Sequence, residues 1–135
     1  MRRFDAVLCA CLVVACGGLA FGAGEGAPAK GLPKGTIAHS VYFWLKEEAT
    51  EKDAATLVED CKGLAKLDCV LAVHAGTPLG KARGAVDSSY QVGIVVYLPD
   101  KAAYKKYLPH PKHQALVKKH KALWKKVVIY DFVKQ

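Results

Sequence analysis

The stretch Thr36–Lys46, "TIAHSVYFWLK", alternates between two sets of residues: Ile37, His39, Val41, Phe43 and Leu45, and Ala38, Ser40, Tyr42 and Trp44. A period of two, carried by β-branched and aromatic residues, predicts a strand with two usable faces, and it sets His39 among aliphatic side chains. The period changes after Thr50. Ala54, Leu57, Val58, Cys61, Leu64 and Ala65 recur at helical spacing, and Thr50 with Asp53 forms a near capping box, which predicts an amphipathic helix over Glu51–Leu64. "CVLAVHAGTPL" reads as a second strand closed by Gly76 and Pro78, and "GKARGAVDSSY" as a polar loop. Tyr90–Leu98 reads as a third strand. Pro99 and Asp100 open a short helix in "PDKAAYKKYL". "HPKHQALVKKHKALWKK" predicts a longer helix with Pro111 in its first turn, where a missing N–H costs nothing. Val127–Val133 closes the pattern as a fourth strand.

The order β-α-β-β-α-α-β predicts an α+β, ferredoxin-like sandwich with a four-stranded antiparallel sheet and its helices on one side. The other face needs a cover, because Ile37, Val41, Phe43, Val95 and Tyr97 are too apolar for water. A second copy packed sheet to sheet supplies it, so a homodimer through sheet faces is expected.

Ahead of this domain, Arg2 and Arg3 precede the apolar run Ala6–Ala15, too short for the roughly 20 residues of a spanning helix, and small residues follow. This predicts a secretory signal peptide over residues 1–22. "AFG" before Ala23 suits ordinary cleavage. "LVVAC" resembles a bacterial lipobox and makes Cys16 a lipidation candidate. The first outcome gives a periplasmic or extracellular protein, the second a lipoprotein held on a membrane by its anchor alone. Residues 23–35 read as a flexible linker, leaving residues 36–135 as the folded domain.

The formal net charge is +8, and from Lys101 onward ten lysines face one acid, Asp131. Such a face suits a polyanion or simple solvation. The region has no arginine and no interleaving of exposed aromatics, and an exported protein rarely meets nucleic acid, so nucleic acid is not an expected partner. An envelope interaction surface remains as an alternative. Cys61 and Cys69 are compatible with a disulfide or with buried thiols. No CxxC pair exists, and His110-x-x-His113 lacks a carboxylate third ligand, so neither a metal site nor a cofactor is expected.

Three of the five histidines fall in "YLPHPKHQALVKKH". His113, Leu116, Val117, His120, Leu123 and Trp124 share one helical stripe, which turns both imidazoles inward. His120 reads first as a satisfied core histidine. Tyr107 ends the short helix, and the "LPHP" corner folds the chain back, so that its hydroxyl and the His113 imidazole can share a pocket. Imidazole near neutrality serves as acid or base, and a buried phenol can polarise a carbonyl. His113 and Tyr107 are therefore the candidate catalytic pair, with His39, His110, His120 and Trp124 as candidate pocket residues for a small apolar or phenolic ligand. His110, before Pro111, also suits a cap or corner hydrogen bond. A ligand site would show as a cavity of at least ~300 Å³ faced by both Tyr107 and His113.

"YLPHPKHQALV", with "AHSVYFWLK" at the start and "VVIYDFV" at the end, resembles the stress-responsive dimeric α/β-barrel (Dabb) family over Thr36–Val133. The "Y-x-x-HP-x-H" corner is its most specific part. The resemblance implies a ferredoxin-like protomer paired into a dimeric α/β barrel. The family includes heat-stable plant stress proteins, bacterial members without assigned activity, and a plant polyketide cyclase, olivetolic acid cyclase. The cyclase implies a cavity between sheet and helices, where a tyrosine and a histidine handle protons in an aldol condensation; these fall on Tyr107 and His113, and the first-strand histidine on His39. The histidine that cyclase-like members carry on the third strand is Val92 here. A small-molecule-binding or protective dimer without chemistry is the leading expectation, a cofactor-independent cyclase-like lyase the alternative.

Overall fold

The computed structural model describes residues 31–135. The expected leader, Cys16 and most of the expected linker lie outside the described residues. The elements run β1 (Ile37–Leu45), α1 (Glu51–Lys62), β2 (Ala72–Gly76), β3 (Val92–Leu98), α2 (Lys101–Tyr107), α3 (Pro111–His120) and β4 (Trp124–Val133). The sheet order is β2-β3-β1-β4, and every neighbouring pair is antiparallel. This is the ferredoxin-like arrangement the pattern predicts.

Local chemistry sets the helix starts. The Thr50 hydroxyl accepts from the Asp53 N–H, and the Asp53 carboxylate accepts from the Thr50 N–H at 2.8 Å, completing a capping box. Asp100 accepts from the Ala103 N–H at 2.8 Å to start α2. His110 Nδ1 accepts from the Lys112 N–H at 3.2 Å ahead of Pro111, so the corner histidine is the N-cap of α3.

Two expectations need correction. The helix predicted to run through Trp124 stops at His120; Lys121–Leu123 form a single 3-10 turn, and Trp124 begins β4. The end of β1 competes for this segment: the Lys46 N–H bonds to the Leu123 carbonyl at 2.9 Å, and Leu45 pairs with Trp124 across a register shift. A partner for the Lys46 N–H at the end of β1 outweighs another helical turn.

The second correction concerns the sheet faces. Ile37, Val41 and Phe43 do not belong to the open face; they are buried under the helices with Val92, Ile94, Val96, Leu98, Leu57 and Leu116. The register places Ala38, Ser40 and Tyr42 opposite Tyr97, Val95 and Gly93 on one side and opposite Phe132, Tyr130 and Val128 on the other. That set forms the open face, on which Tyr130 is 62% and Phe132 60% exposed. Gly93 lets this face close over itself, since a Cβ there would meet the Tyr90 and Tyr42 rings at 3.2–3.3 Å. Cys61 and Cys69 are buried free thiols, and burial pushes the Cys61 thiol up to about 12.

Candidate functional site

The helix-facing side of β1 and β4 carries two polar residues among aliphatic ones. His39 stands between Ile37 and Val41, Asp131 between Ile129 and Val133, and the antiparallel register sets the pair opposite each other. The His39 Nδ1–H donates to Asp131 Oδ1 at 2.6 Å, and the Tyr104 hydroxyl donates to Asp131 Oδ2 at 2.9 Å. The carboxylate thus fixes the ring orientation of a 3% exposed histidine and leaves Nε2 as its free polar atom among the described residues. Burial, and then the bond to Asp131, raise the Tyr104 phenol above its ordinary value.

The α2–α3 corner supplies the opposite wall. The His113 Nδ1–H donates to the Leu108 carbonyl at 2.9 Å, a carbonyl that also accepts from Gln114 Nε2 at 2.7 Å. A carbonyl can only accept, so the proton of a neutral His113 sits on Nδ1 and the lone pair on Nε2. Burial holds this imidazole below its ordinary 6.5; the Leu108 bond opposes the shift, while His39 and His110 reinforce it. At neutral pH His113 therefore offers an uncharged acceptor and base. The Tyr107 ring lies 4.6 Å from the His113 ring and 5.7 Å from the His39 ring, between centroids. Tyr107 is 1% exposed, and burial raises its phenol, with Cys61 and Cys69 adding to the shift. It is a proton donor across the physiological range.

His39, Tyr104, Tyr107 and His113 line one cavity between sheet and helices, together with apolar walls that include Phe43, Ile94, Leu116 and Trp124. Its volume is about 170 Å³, below the expected ~300 Å³. A cavity of about 150 Å³ takes one benzene ring. Leu108 and the half-exposed Ile129 also border it, toward the β4 edge of the sheet. A larger, open groove of about 850 Å³ lies at the far end of the sheet, between Trp44, Tyr90 and the start of α1. Within it Trp44 Nε1 donates to the Ser89 hydroxyl at 2.9 Å, and none of the candidate residues lines it.

Four of the six candidates thus converge on the cavity: His113, Tyr107, His39 and Trp124. Trp124 does so from β4 rather than from a helix, its ring 5.0 Å from that of Phe43. His110 and His120 do not line the cavity. His110 is committed to the α3 cap. His120 turns toward α1, where its Nε2 lies 2.6 Å from Asp60 Oδ2, a carboxylate that Lys119 also contacts at 2.6 Å. The Lys119 contact chiefly holds Asp60 below the usual carboxylate range, with burial opposing and the His120 bond reinforcing. The pattern missed Asp131 and Tyr104. Asp131 was detectable, since it interrupts the apolar alternation Val127, Ile129, Val133 just as His39 interrupts that of β1.

Sheet order, helix layer and a cavity between them define a ferredoxin-like α+β domain with a polar cluster in an apolar pocket. The family model for the stress responsive A/B barrel domain (Dabb) matches residues 37–134, and the chain belongs to that family. Among solved structures, a Dabb-family protein with a ferredoxin-like fold from Mesorhizobium loti is 26% identical, with a TM-score of 0.61 over 76% of this chain and 99% of that one. A dimeric ferredoxin-like protein of unknown function from Thermobifida fusca is 20% identical, with a TM-score of 0.65 over 76% and 93%. A hydroxynitrile lyase from Passiflora edulis is 16% identical, with a TM-score of 0.67 over 76% and 96%. No curated protein matches the sequence.

Proposed function

We propose that this chain is an exported, homodimeric small-molecule-binding protein whose cavity takes one ring-sized, weakly polar molecule, with a phenol as the simplest fit. The observation that carries this reading is the convergence of His113, Tyr107 and His39 on a single cavity of about 170 Å³ with otherwise largely apolar walls. A phenol O–H would donate to His113 Nε2 while its ring fills the space against Phe43 and Trp124. The bare face bearing Tyr42, Val95, Tyr97, Tyr130 and Phe132 supports pairing through the sheets, and the Thermobifida protein of the same fold, described as dimeric, supports a dimer.

A second reading is favoured by one observation, the uncharged His113 held beside a buried, proton-bearing Tyr107. Such a pair suits a cofactor-independent lyase or cyclase on a small enolisable carbonyl compound, with His113 as base, Tyr107 as polarising acid and His39 as positioning residue. The cavity volume restricts that substrate to about one ring rather than an extended polyketide chain.

A thermal-shift screen of phenols and small aryl carbonyl compounds tests both readings. Binding predicts stabilisation of the wild type that is lost in Val117→Phe, which fills the cavity from α3. Chemistry predicts, in addition, turnover that disappears in the Tyr107→Phe/His113→Asn double variant. Unchanged turnover in that variant ends the enzyme reading, and absence of any stabilising ligand ends the binding reading.

A further inference from the structure

Between Lys101 and Lys121, α2, α3 and the turn after them carry seven lysines, no arginine and no acid. All seven are exposed, and among the described residues only Lys119 reaches a carboxylate, that of Asp60. At the corner joining the helices, Leu108 is 37% exposed and Pro109 and Pro111 stand beside it in solvent, flanked by Lys105, Lys106 and Lys112. Leu108 is also a wall of the cavity. An apolar tip set in lysine is the chemistry of a surface that meets a bilayer at its headgroups.

We propose that the α2–α3 corner docks on an anionic lipid surface, with Leu108 and the prolines at the acyl boundary and the lysines among the headgroups. Three features favour a bilayer over a soluble polyanion. The apolar tip has no role against a soluble chain of phosphates or carboxylates. Lysine, a compact point charge, suits a diffuse anionic surface, whereas discrete phosphates or carboxylates are usually gripped by the planar fork of arginine. The cavity shares the Leu108 wall, so docking brings it against the phase in which a ring-sized apolar ligand concentrates. That last point rests on the cavity being a binding site; the docking itself does not. The corner lies on the helix layer, on the opposite side of the sheet from the open face, so a second copy on that face leaves it free.

Co-sedimentation of the full chain with phosphatidylglycerol-containing vesicles, without added ligand, tests the docking. Wild type is expected to bind them, to bind pure phosphatidylcholine vesicles weakly, and to release as salt shortens the Debye length. Lys105→Glu/Lys106→Glu/Lys112→Glu is expected to lose at least about tenfold in affinity, since each charge near the surface counts. Leu108→Asp should weaken binding as well, and Lys52→Glu/Lys66→Glu on and just beyond α1 should not. Every variant carries the same N-terminus, so the differences report the corner. If the triple reversal misfolds by circular dichroism, the corresponding glutamine variant replaces it. Equal binding to both vesicle types, or anionic binding insensitive to the corner charges, overturns the proposal. So does binding that Leu108→Asp leaves intact while soluble polyphosphate abolishes it, which would assign the lysines to a soluble polyanion.

Discussion

At the scale of single residues, two histidines, His39 and His113, are held in opposite walls of the cavity. His113→Ala removes one of two side-chain donors to the Leu108 carbonyl and opens space in the core, so a loss of about 1–3 kcal/mol is expected in urea unfolding. The same residue gives a pH signature. Its folded-state value lies below the ordinary 6.5, so the unfolded chain takes up the proton first as pH falls. Stability contributed by the neutral ring should therefore fall as pH drops through 6.5 toward the folded value, and level off below that. His113→Phe, if it folds, should flatten this limb of the stability-pH curve; an unchanged limb would mean that another group causes it. Tyr104→Phe removes one of two hydrogen bonds to Asp131 and should cost about 0.5–1.5 kcal/mol, read in the same unfolding assay. These contacts were only partly legible from the pattern. The meeting of Tyr107 and His113 could be read from the "LPHP" corner because it is local in sequence. The bond between His39 and Asp131 spans 92 residues and depends on strand register, which periodicity does not supply.

At the scale of elements, the caps carry the local information. Thr50→Ala dissolves the capping box of α1 and should lower the thermal midpoint by the equivalent of about 1 kcal/mol; no change would show that tertiary packing alone holds that helix end. Strands and helices were legible wherever the hydrophobic period was unmixed, as in β1, α1 and β3. They were not at Leu123 and Trp124, where a helical stripe continues in the sequence although the chain has passed through a 3-10 turn into β4. The end of β1, where the Lys46 N–H takes the Leu123 carbonyl and Leu45 pairs with Trp124, decides that boundary, and it lies far away in the sequence. The same gap explains the face assignment. Alternation separates Ile37, Val41 and Phe43 from Ala38, Ser40 and Tyr42 but does not say which set meets the helices. Three-dimensional packing chooses the first set, the one that also carries His39.

At the scale of the molecule, the sheet has one face covered by helices and one bare aromatic face, and the cavity lies on the covered side. Phe132→Glu or Tyr130→Glu places a charge on the bare face and should shift sedimentation velocity from dimer to monomer while the cavity survives. A dimer that persists through both substitutions would put the interface elsewhere. The central claim is that the cavity of His113, Tyr107 and His39 is a ligand site and more than a packing defect. Phenol titrated into the isotopically labelled full chain, followed by two-dimensional NMR, tests it most directly. The account predicts saturable shifts confined to residues lining the cavity, His39, Tyr107, His113 and Trp124 foremost, and their loss in Val117→Phe. Shifts scattered over the surface, or equally present in the filled variant, would contradict it and leave the "HPKH" corner a structural device that caps one helix and anchors another.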